Sequence, residues 1–336
     1  MKVVVTGATG HVGANLVRAL LREGHEVRAM VRDDRVGLDG LKVEFVRGDV
    51  RDPAALRRAF AGAELVFHLA AMISISGDRK GLVPAINVHG VRNAAEAALE
   101  VGARRMIHVS SIHAFGLDDR SAPLDERRPR ATESFEPAYN LSKNAGEAEL
   151  RKVIDRGLDA TIVNPTGIVG PYDYRPSRMG RLFLQLYRRS LPALVPGGFD
   201  FVDVRDVVGG ILSAAERGET GENYILGGRY VPVRELAAIT ERVTGRRPPR
   251  LSSPMWLARA TAPLFELGGR LTGREPLYTR ESLSALRANP DIRHDKATAA
   301  LGFRPRPFED TVRDTYAWFS SHGALPAGIV RGGGAD

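Results

Sequence analysis

The chain of 336 residues is 43% hydrophobic and 26% charged, the balance of a soluble globular protein with room for one large domain or two intimate ones. It has no cysteine, which excludes disulfides, thiolate nucleophiles and zinc–cysteine centres, and no metal site is expected. The net charge of +8 does not signal nucleic acid, because the basic residues include only six lysines, the arginines are scattered among Asp and Glu, and no basic run is interleaved with aromatics.

The first segment, Val3-Val4-Val5-Thr6-Gly7-Ala8-Thr9-Gly10-His11-Val12-Gly13, runs an apolar strand into glycines spaced three apart, and Ala14 to Leu21 continues with apolar residues at helical spacing. Strand, tight turn and helix are the predicted elements. Glycine lets the backbone bend and approach a ligand with no Cβ in the way. The helix start offers free N–H groups and a partial positive charge to a pyrophosphate. An ordinary strand-to-helix turn is the alternative, and the position directly after a β-rich run favours a dinucleotide site. Because Met1-Lys2-Val3 already reads as strand, no signal peptide is expected, and no apolar run nears the roughly 20 residues that span a bilayer. A cytoplasmic location is therefore expected. The spacing resembles that of the extended short-chain dehydrogenase/reductases, whose opening is typically Thr-Gly-Ala-Thr-Gly-Phe-x-Gly; His11 stands where that pattern has an aromatic ring. The resemblance implies dinucleotide contacts from Thr6, Gly7, Thr9, Gly10, His11, Val12 and Gly13.

His25 to Arg32 reads as the second strand. Val31 stands where NAD enzymes of this kind carry an acid, and Arg32 follows; a guanidinium pairs with a 2′-phosphate, which a carboxylate would repel. Val-Arg-Ala-x-Val-Arg-Asp also resembles the same strand in plant dihydroflavonol reductases, which use NADPH. NADP(H) is expected ahead of NAD(H), although Asp33 and Asp34 could neutralise Arg32. Val43 to Val46 is a third strand. In Gly48-Asp49-Val50-Arg51-Asp52 the resemblance assigns Asp49 to the adenine amino group, with Val50 beside it, while Asp52 reads as a helix N-cap before Pro53. Leu65 to Ala71 is a fourth strand ending beyond Leu69 in the small Ala70 and Ala71, which let a dinucleotide pass over the sheet edge; His68 reads as a core histidine. Met72 to Gly77, with Met72 and Ser74, is expected to border the substrate. A helix through Asn87 to Ala98 has an alanine-rich face. The resemblance implies a homodimer through helices near 83–101 and 139–157, and gives Asn87 a supporting position at the cofactor, with a helix-surface amide as the alternative.

Arg105 to Ser111 is the fifth strand, ending in Ser110-Ser111, and Ile112-His113-Ala114-Phe115-Gly116 follows. This resembles Ser-Ser-x-x-x-Tyr-Gly with Phe115 for Tyr, which implies that Ser111 is catalytic and Val109 lies against the cofactor; His113 faces substrate or solvent. Tyr139-Asn140-Leu141-Ser142-Lys143 supplies Tyr-x-x-x-Lys, and residues four apart share a helix face. Ala160 to Thr166 is the sixth strand and its exit, and Gly167 to Pro171 reads as a turn. Here the resemblance implies cofactor contacts from Asn164, Pro165, Thr166 and an N–H near Ile168 or Val169, with Thr166 also near substrate. Tyr172 to Leu194 carries Tyr172, Arg178, Met179 and Phe183, together with Arg175 and Arg181. It reads as a substrate lid or, equally, as a solvated arginine face. Asp206 is expected to cap a helix through Ala214, and Asn223 to Gly228 to form the last strand of the nucleotide sheet. Val233 to Gly245 and the apolar Pro254 to Leu271 read as helices; Arg259, Pro263 and Glu266 make the latter a lid or core helix.

The fold class expected is α/β, a Rossmann doubly wound parallel sheet with a smaller, mostly helical C-terminal substrate-binding lobe. Residues 1–170 and about 204–228 form the NADP-binding domain, about 171–203 and 229–322 the lobe, and 323–336 a flexible tail. The resemblance implies hydride transfer at a carbonyl. Tyr139 is the acid/base, its phenol lowered by Lys143 and the oxidised nicotinamide. Ser111 bonds the reacting oxygen, and Lys143 also holds the nicotinamide ribose. Two enzyme readings share this apparatus: reductases of the dihydroflavonol-reductase or 3β-hydroxysteroid-dehydrogenase type, and nucleotide-sugar epimerases or dehydratases, including those called hopanoid-associated sugar epimerases. Phe199 precedes Asp200-Phe201-Val202-Asp203-Val204 where sugar-nucleotide enzymes often carry Arg, which favours a small, hydrophobic ketone, aldehyde or β-keto acid. A non-catalytic NADP-binding scaffold is a third reading, disfavoured by the retained Tyr–Lys pair.

Overall fold

In the computed structural model, residues 1–330 are described except 75–77, 79, 118, 133–136, 192, 248, 250, 273–282, 284–285 and 287–288. The apolar runs become strands: β1 (Lys2–Thr6), β2 (Glu26–Val31), β3 (Glu44–Arg47), β4 (Leu65–His68), β5 (Arg105–Val109) and β6 (Ala160–Pro165). After them come β7 (Gly167–Val169), β8 (Gly198–Asp203), β9 (Asn223–Leu226) and β10 (Arg229–Pro232). Seven lie in one parallel sheet of order β3-β2-β1-β4-β5-β6-β9. The order reverses at β1 and β4, and the crevice at a reversal of this kind is where α/β sheets take ligands. β1 is buried on both faces, as a central strand covered by helices must be.

A second sheet has the order β10-β8-β7. The expected turn at Gly167 is instead its strand β7, parallel to β8. Glycine permits this, because a Cβ at Gly167 would lie 2.7 Å from the Asp200 carbonyl oxygen.

The helices are α1 (His11–Arg22), α2 (Pro53–Phe60), α3 (Leu82–Pro84), which continues through a π turn (Ala85–His89) into α4 (Gly90–Glu100), and α5 (Ala138–Ile154). They are followed by α6 (Arg178–Arg188), α7 (Val204–Arg217), α8 (Val233–Thr244), α9 (Met255–Thr272), α10 (Asp295–Leu301) and α11 (Phe308–Ser321). Asp52 caps α2 as expected, accepting from the Ala54 and Ala55 N–H groups. The cap of α7 is Asp203, not Asp206: Asp203 ends β8 in the extended conformation an N-cap needs and accepts the Arg205 N–H. Asp206 lies inside the first turn and binds Arg306. Ala94, Ala95, Ala97 and Ala98 are spent inside this chain, against the sheet and the helices beside it.

One core lies between the sheet and α1 and α7, through Leu16, Leu20, Ile107 and Ile211, and another on the opposite face, through Val66, Met106 and Leu56. A third gathers Phe183, Phe201, Leu236, Tyr316 and Phe319 around the second sheet. Leu325 and Ile329, expected in a flexible tail, are buried in this third core, and 331–336 lies outside the described residues. Among the described residues no helix is long and apolar enough to cross a membrane.

Candidate active site

At the glycine turn two of the three glycines answer internal demands. Gly7 has φ +68, and a Cβ there would lie 2.7 Å from the Ala70 nitrogen. A Cβ at Gly13 would collide with the Gly7 carbonyl oxygen and lie 2.7 Å from the Ala8 Cα. Gly10 is exposed and meets only the Gly7 oxygen, at 3.3 Å. It caps α1 without any side-chain bond to the first-turn N–H groups, and that turn has no acidic residue. These donors and the bare Cα of Gly10 suit a pyrophosphate. Thr9, His11 and Val12 are half-buried beside them. The His11 Nε2 and the Asn15 amide both hydrogen-bond the Pro171 carbonyl at 3.0 Å, tying the segment after β7 to the start of α1.

Arg32 and Asp49 are the residues expected to hold the adenosine end. Arg32 is exposed, and the two acids beside it face other guanidiniums: Asp33 pairs with Arg47 at 2.7 Å and Asp34 with Arg175. The neutralisation of Arg32 by these carboxylates is not seen. Asp49 is clasped by Arg51 (Nε to Oδ1 3.0 Å, Nη2 to Oδ2 2.8 Å), which with the Arg32 charge holds its carboxyl below the usual range. Val50, Val109 and Pro165 are buried, Leu69, Ala70, Met72, Thr166 and Ile168 are half-buried, and Ala71 is exposed. Ser74 is buried; residues 75–77 of the expected substrate border lie outside the described residues.

Ser111, Tyr139 and Lys143 converge. Ser111 leaves the end of β5 and caps a short 3-10 turn, its Oγ accepting the His113 N–H at 3.3 Å. Tyr139 stands in the first turn of α5, its phenol near enough to the Ser111 hydroxyl for that group to favour its ionised form. The His113 ring meets Tyr139 edge-on, centroids 5.6 Å apart. Lys143, one turn further along, donates from Nζ to the Val109 carbonyl at 3.2 Å. The phenol is not lowered in the protein alone: burial pushes it above its ordinary value and outweighs Ser111 and the Arg178 charge. Burial pushes the Lys143 ammonium down to about 8, against the pull of the Glu147 carboxylate. Arg178 reaches Tyr139 and His113 electrostatically, whereas Arg175 is drawn to Asp34 and Arg181 is exposed. Met179 packs half-buried against the third core.

Five expected contact residues are used elsewhere. The Thr6 hydroxyl is bound to His68 Nδ1 at 2.9 Å and accepts the Leu69 and Ala70 N–H groups, so it clamps the crossing of β1 and β4. Asn87 spends its amide on both backbone groups of Met72 and on Ser142. Asn164 is fully buried and bonds the Ser111 carbonyl, Glu147 and Asn223. Phe183 is fully buried, packed on Phe201 and Tyr316. The Tyr172 ring packs at a tilt against Trp318, and the Arg18 guanidinium lies 4.4 Å from the tyrosine centroid. In each case a position along the chain says where the Cα lies, and the side chain's partners come from distant segments.

The sequence reading missed a buried polar layer under this site. His68 and His108 stack at 5.5 Å, and Glu147, Asn223, Arg130 and Asp200 join hydrogen-bonded networks. Tyr-x-x-x-Lys-x-x-x-Glu was a legible signal for Glu147, since four further residues keep the same helix face. Burial holds His68 at about 3 and His113 at about 4, and His108 well below 6.5. These folded values lie below the unfolded one, so the unfolded chain binds more protons between them and 6.5, and stability must fall as pH drops through that window. Thermal unfolding from pH 8 to 4 should show little change above about 6.5 and a steep loss below it, up to about 1.4 kcal/mol per pH unit for each imidazole. A flat curve below 6.5 would contradict the burial of these rings.

The model of the NAD dependent epimerase/dehydratase family matches residues 3–227. Sterol demethylase protein B of Methylococcus capsulatus is 39% identical over 332 residues, covering 97% of this chain and all of that protein. A Synechocystis protein provisionally named dihydroflavonol 4-reductase is 34% identical over 326 residues, 95% of this chain and 94% of its own. The crystal structure of gox2253 shares the fold with a TM-score of 0.83 at 37% identity, covering 96% of this chain and 99% of that one.

Proposed function

The chain belongs to the NAD dependent epimerase/dehydratase family, and from that premise we propose that it is an NADP(H)-dependent reductase of a carbonyl in a small hydrophobic substrate. The observation that carries this reading is the convergence of Ser111 on the Tyr139 phenol with Lys143 one helical turn away, beside a glycine turn whose free N–H groups suit a dinucleotide. When bound, the dinucleotide supplies the hydride. The N–H groups around Gly10 would hold its pyrophosphate, Asp49 its adenine, Arg32 its 2′-phosphate and Lys143 the nicotinamide ribose. Ser111 hydrogen-bonds the substrate oxygen where charge develops, and Tyr139 donates its proton to that oxygen. The phenolate left on Tyr139 is stabilised by the Arg178 and Lys143 charges. Half-buried Met179 and Phe199, which packs against Phe201, favour an apolar substrate, and the sterol in the name of the Methylococcus relative is consistent with one.

The test is NADPH oxidation with hydrophobic ketones, aldehydes and β-keto acids against a panel of UDP- and dTDP-sugars. Net NADPH consumption with the first panel is expected. Interconversion of a nucleotide sugar without net consumption would replace this reading by the epimerase one.

The preference for NADP(H) is supported by Arg32 standing clear of both neighbouring carboxylates. Arg32→Glu should weaken NADPH binding about 10–100-fold, the worth of charge-assisted hydrogen bonds, and NADH much less, as read by fluorescence titration. Equal losses would remove the 2′-phosphate contact from Arg32.

A further inference from the structure

We propose that Glu147 is a positioning residue of this site, the buried counter-charge that keeps Lys143 cationic and, through Asn164, anchors the backbone of Ser111. The proposal rests on reading Ser111, Tyr139 and Lys143 as the catalytic group. Glu147 is 1% exposed and lies one turn beyond Lys143 on the same face of α5. Its Oε1 accepts the Asn164 amide at 2.8 Å; its Oε2 accepts Arg130 Nη1 at 2.9 Å and the Asn223 amide at 3.0 Å. The second N–H of Asn164 reaches the Ser111 carbonyl at 3.0 Å, and its Oδ1 accepts from Asn223 at 2.7 Å. Asn223 Oδ1 in turn accepts from Arg130 and Arg151. Both asparagines are thereby locked, because turning either amide over would set N–H against N–H. Four segments distant in sequence, around 130, 147, 164 and 223, are drawn into one unit that ends on the catalytic serine.

The charges sort by access. Arg130 and Arg151 line a cavity of about 500 Å³ shared with Glu126 and Glu222, so solvent and other acids reach them. Lys143 is buried at 4% exposure. The titratable groups that feel its charge are His68 on β4, His108 on β5 and His113 after β5, and burial keeps these neutral near pH 7, as it does the Tyr139 phenol on the same helix. Among the described residues Glu147 is the one carboxylate whose charge acts on Lys143. An ammonium in so dry a place is held only by a partner of opposite sign.

The experiment uses the full chain without cofactor. Six lysines make a sparse 13Cε spectrum, and Lys143→Arg assigns the signal of Lys143. Glu147→Gln should lower its titration midpoint by about one pH unit; in a separate assay with NADPH and substrate, the alkaline limb of the turnover profile should move down with it. Arg130→Met removes a cation that competes for the same carboxylate and should raise the midpoint. Both substitutions break the same hydrogen-bond network, so simple loosening would move both the same way. A midpoint unchanged in Glu147→Gln, or not raised by Arg130→Met, overturns the proposal; if Glu147→Gln does not fold, Arg130→Met decides. The spectrum is read without turnover, so a protein that reduces no carbonyl would fail the reductase reading and leave this one standing on its own result.

Discussion

Tyr139→Phe should lower turnover of the accepted carbonyl about 10²- to 10⁴-fold, the contribution of a positioned acid, while NADPH binds nearly as before. The substitution removes one oxygen from a ring already held in place. The ring stays against His113 and on the face of α5 that carries Lys143, so the fold has no cause to change. What is lost is the proton donor and the partner of the Ser111 hydroxyl. The nearest other acid candidates do not replace it: His113 is pushed down to about 4 and so is neutral at working pH, and Lys143 is tied to the Val109 carbonyl. Stopped-flow turnover and a fluorescence titration of NADPH, done on the same preparation, check it. Turnover that survives would take the acid role from Tyr139; loss of both together would mean that the ring is structural.

The second large effect separates two glycines three residues apart. Gly13→Ala should cost about 1–3 kcal/mol of stability by overpacking, or prevent folding outright. Its Cβ would enter the Gly7 carbonyl and the Ala8 backbone, and that backbone cannot retreat because Thr6 and Ala70 pin it from below. Gly10→Ala should melt near the parent and bind NADPH about tenfold more weakly, ~1.4 kcal/mol, since the added methyl, on an exposed residue, meets only the Gly7 oxygen at 3.3 Å and otherwise enters the place where the pyrophosphate is proposed to sit. Thermal unfolding and NADPH titration of both variants read the two effects separately. The reverse pattern would mean that Gly10 serves the fold and Gly13 the ligand.

Much of this protein is written locally. Val3 to Gly13 announces strand, turn and helix, because β-branched runs, left-handed glycine and helical periodicity act over a few residues. Asp52 before Pro53 announces a cap for the same reason, and the alternation of strands with helices announces a parallel sheet. Ser111, Tyr139 and Lys143 could be singled out through the family resemblance, whose motifs are short: spacing on one helix and the end of one strand. Tertiary structure decided which side chains are left over for a ligand. Thr6, Asn87 and Asn164 occupy the expected places, yet their hydrogen bonds are taken by His68, Met72, Ser142, Glu147 and Asn223. The choice of Asp203 over Asp206 as a cap turned on where β8 ended, and Tyr172 was claimed by Trp318 and Arg18 from two distant helices. A backbone pattern depends on neighbours in the chain. A buried polar group must be satisfied by whatever the fold brings beside it, and no local window contains Arg130, Glu147, Asn164 and Asn223 together.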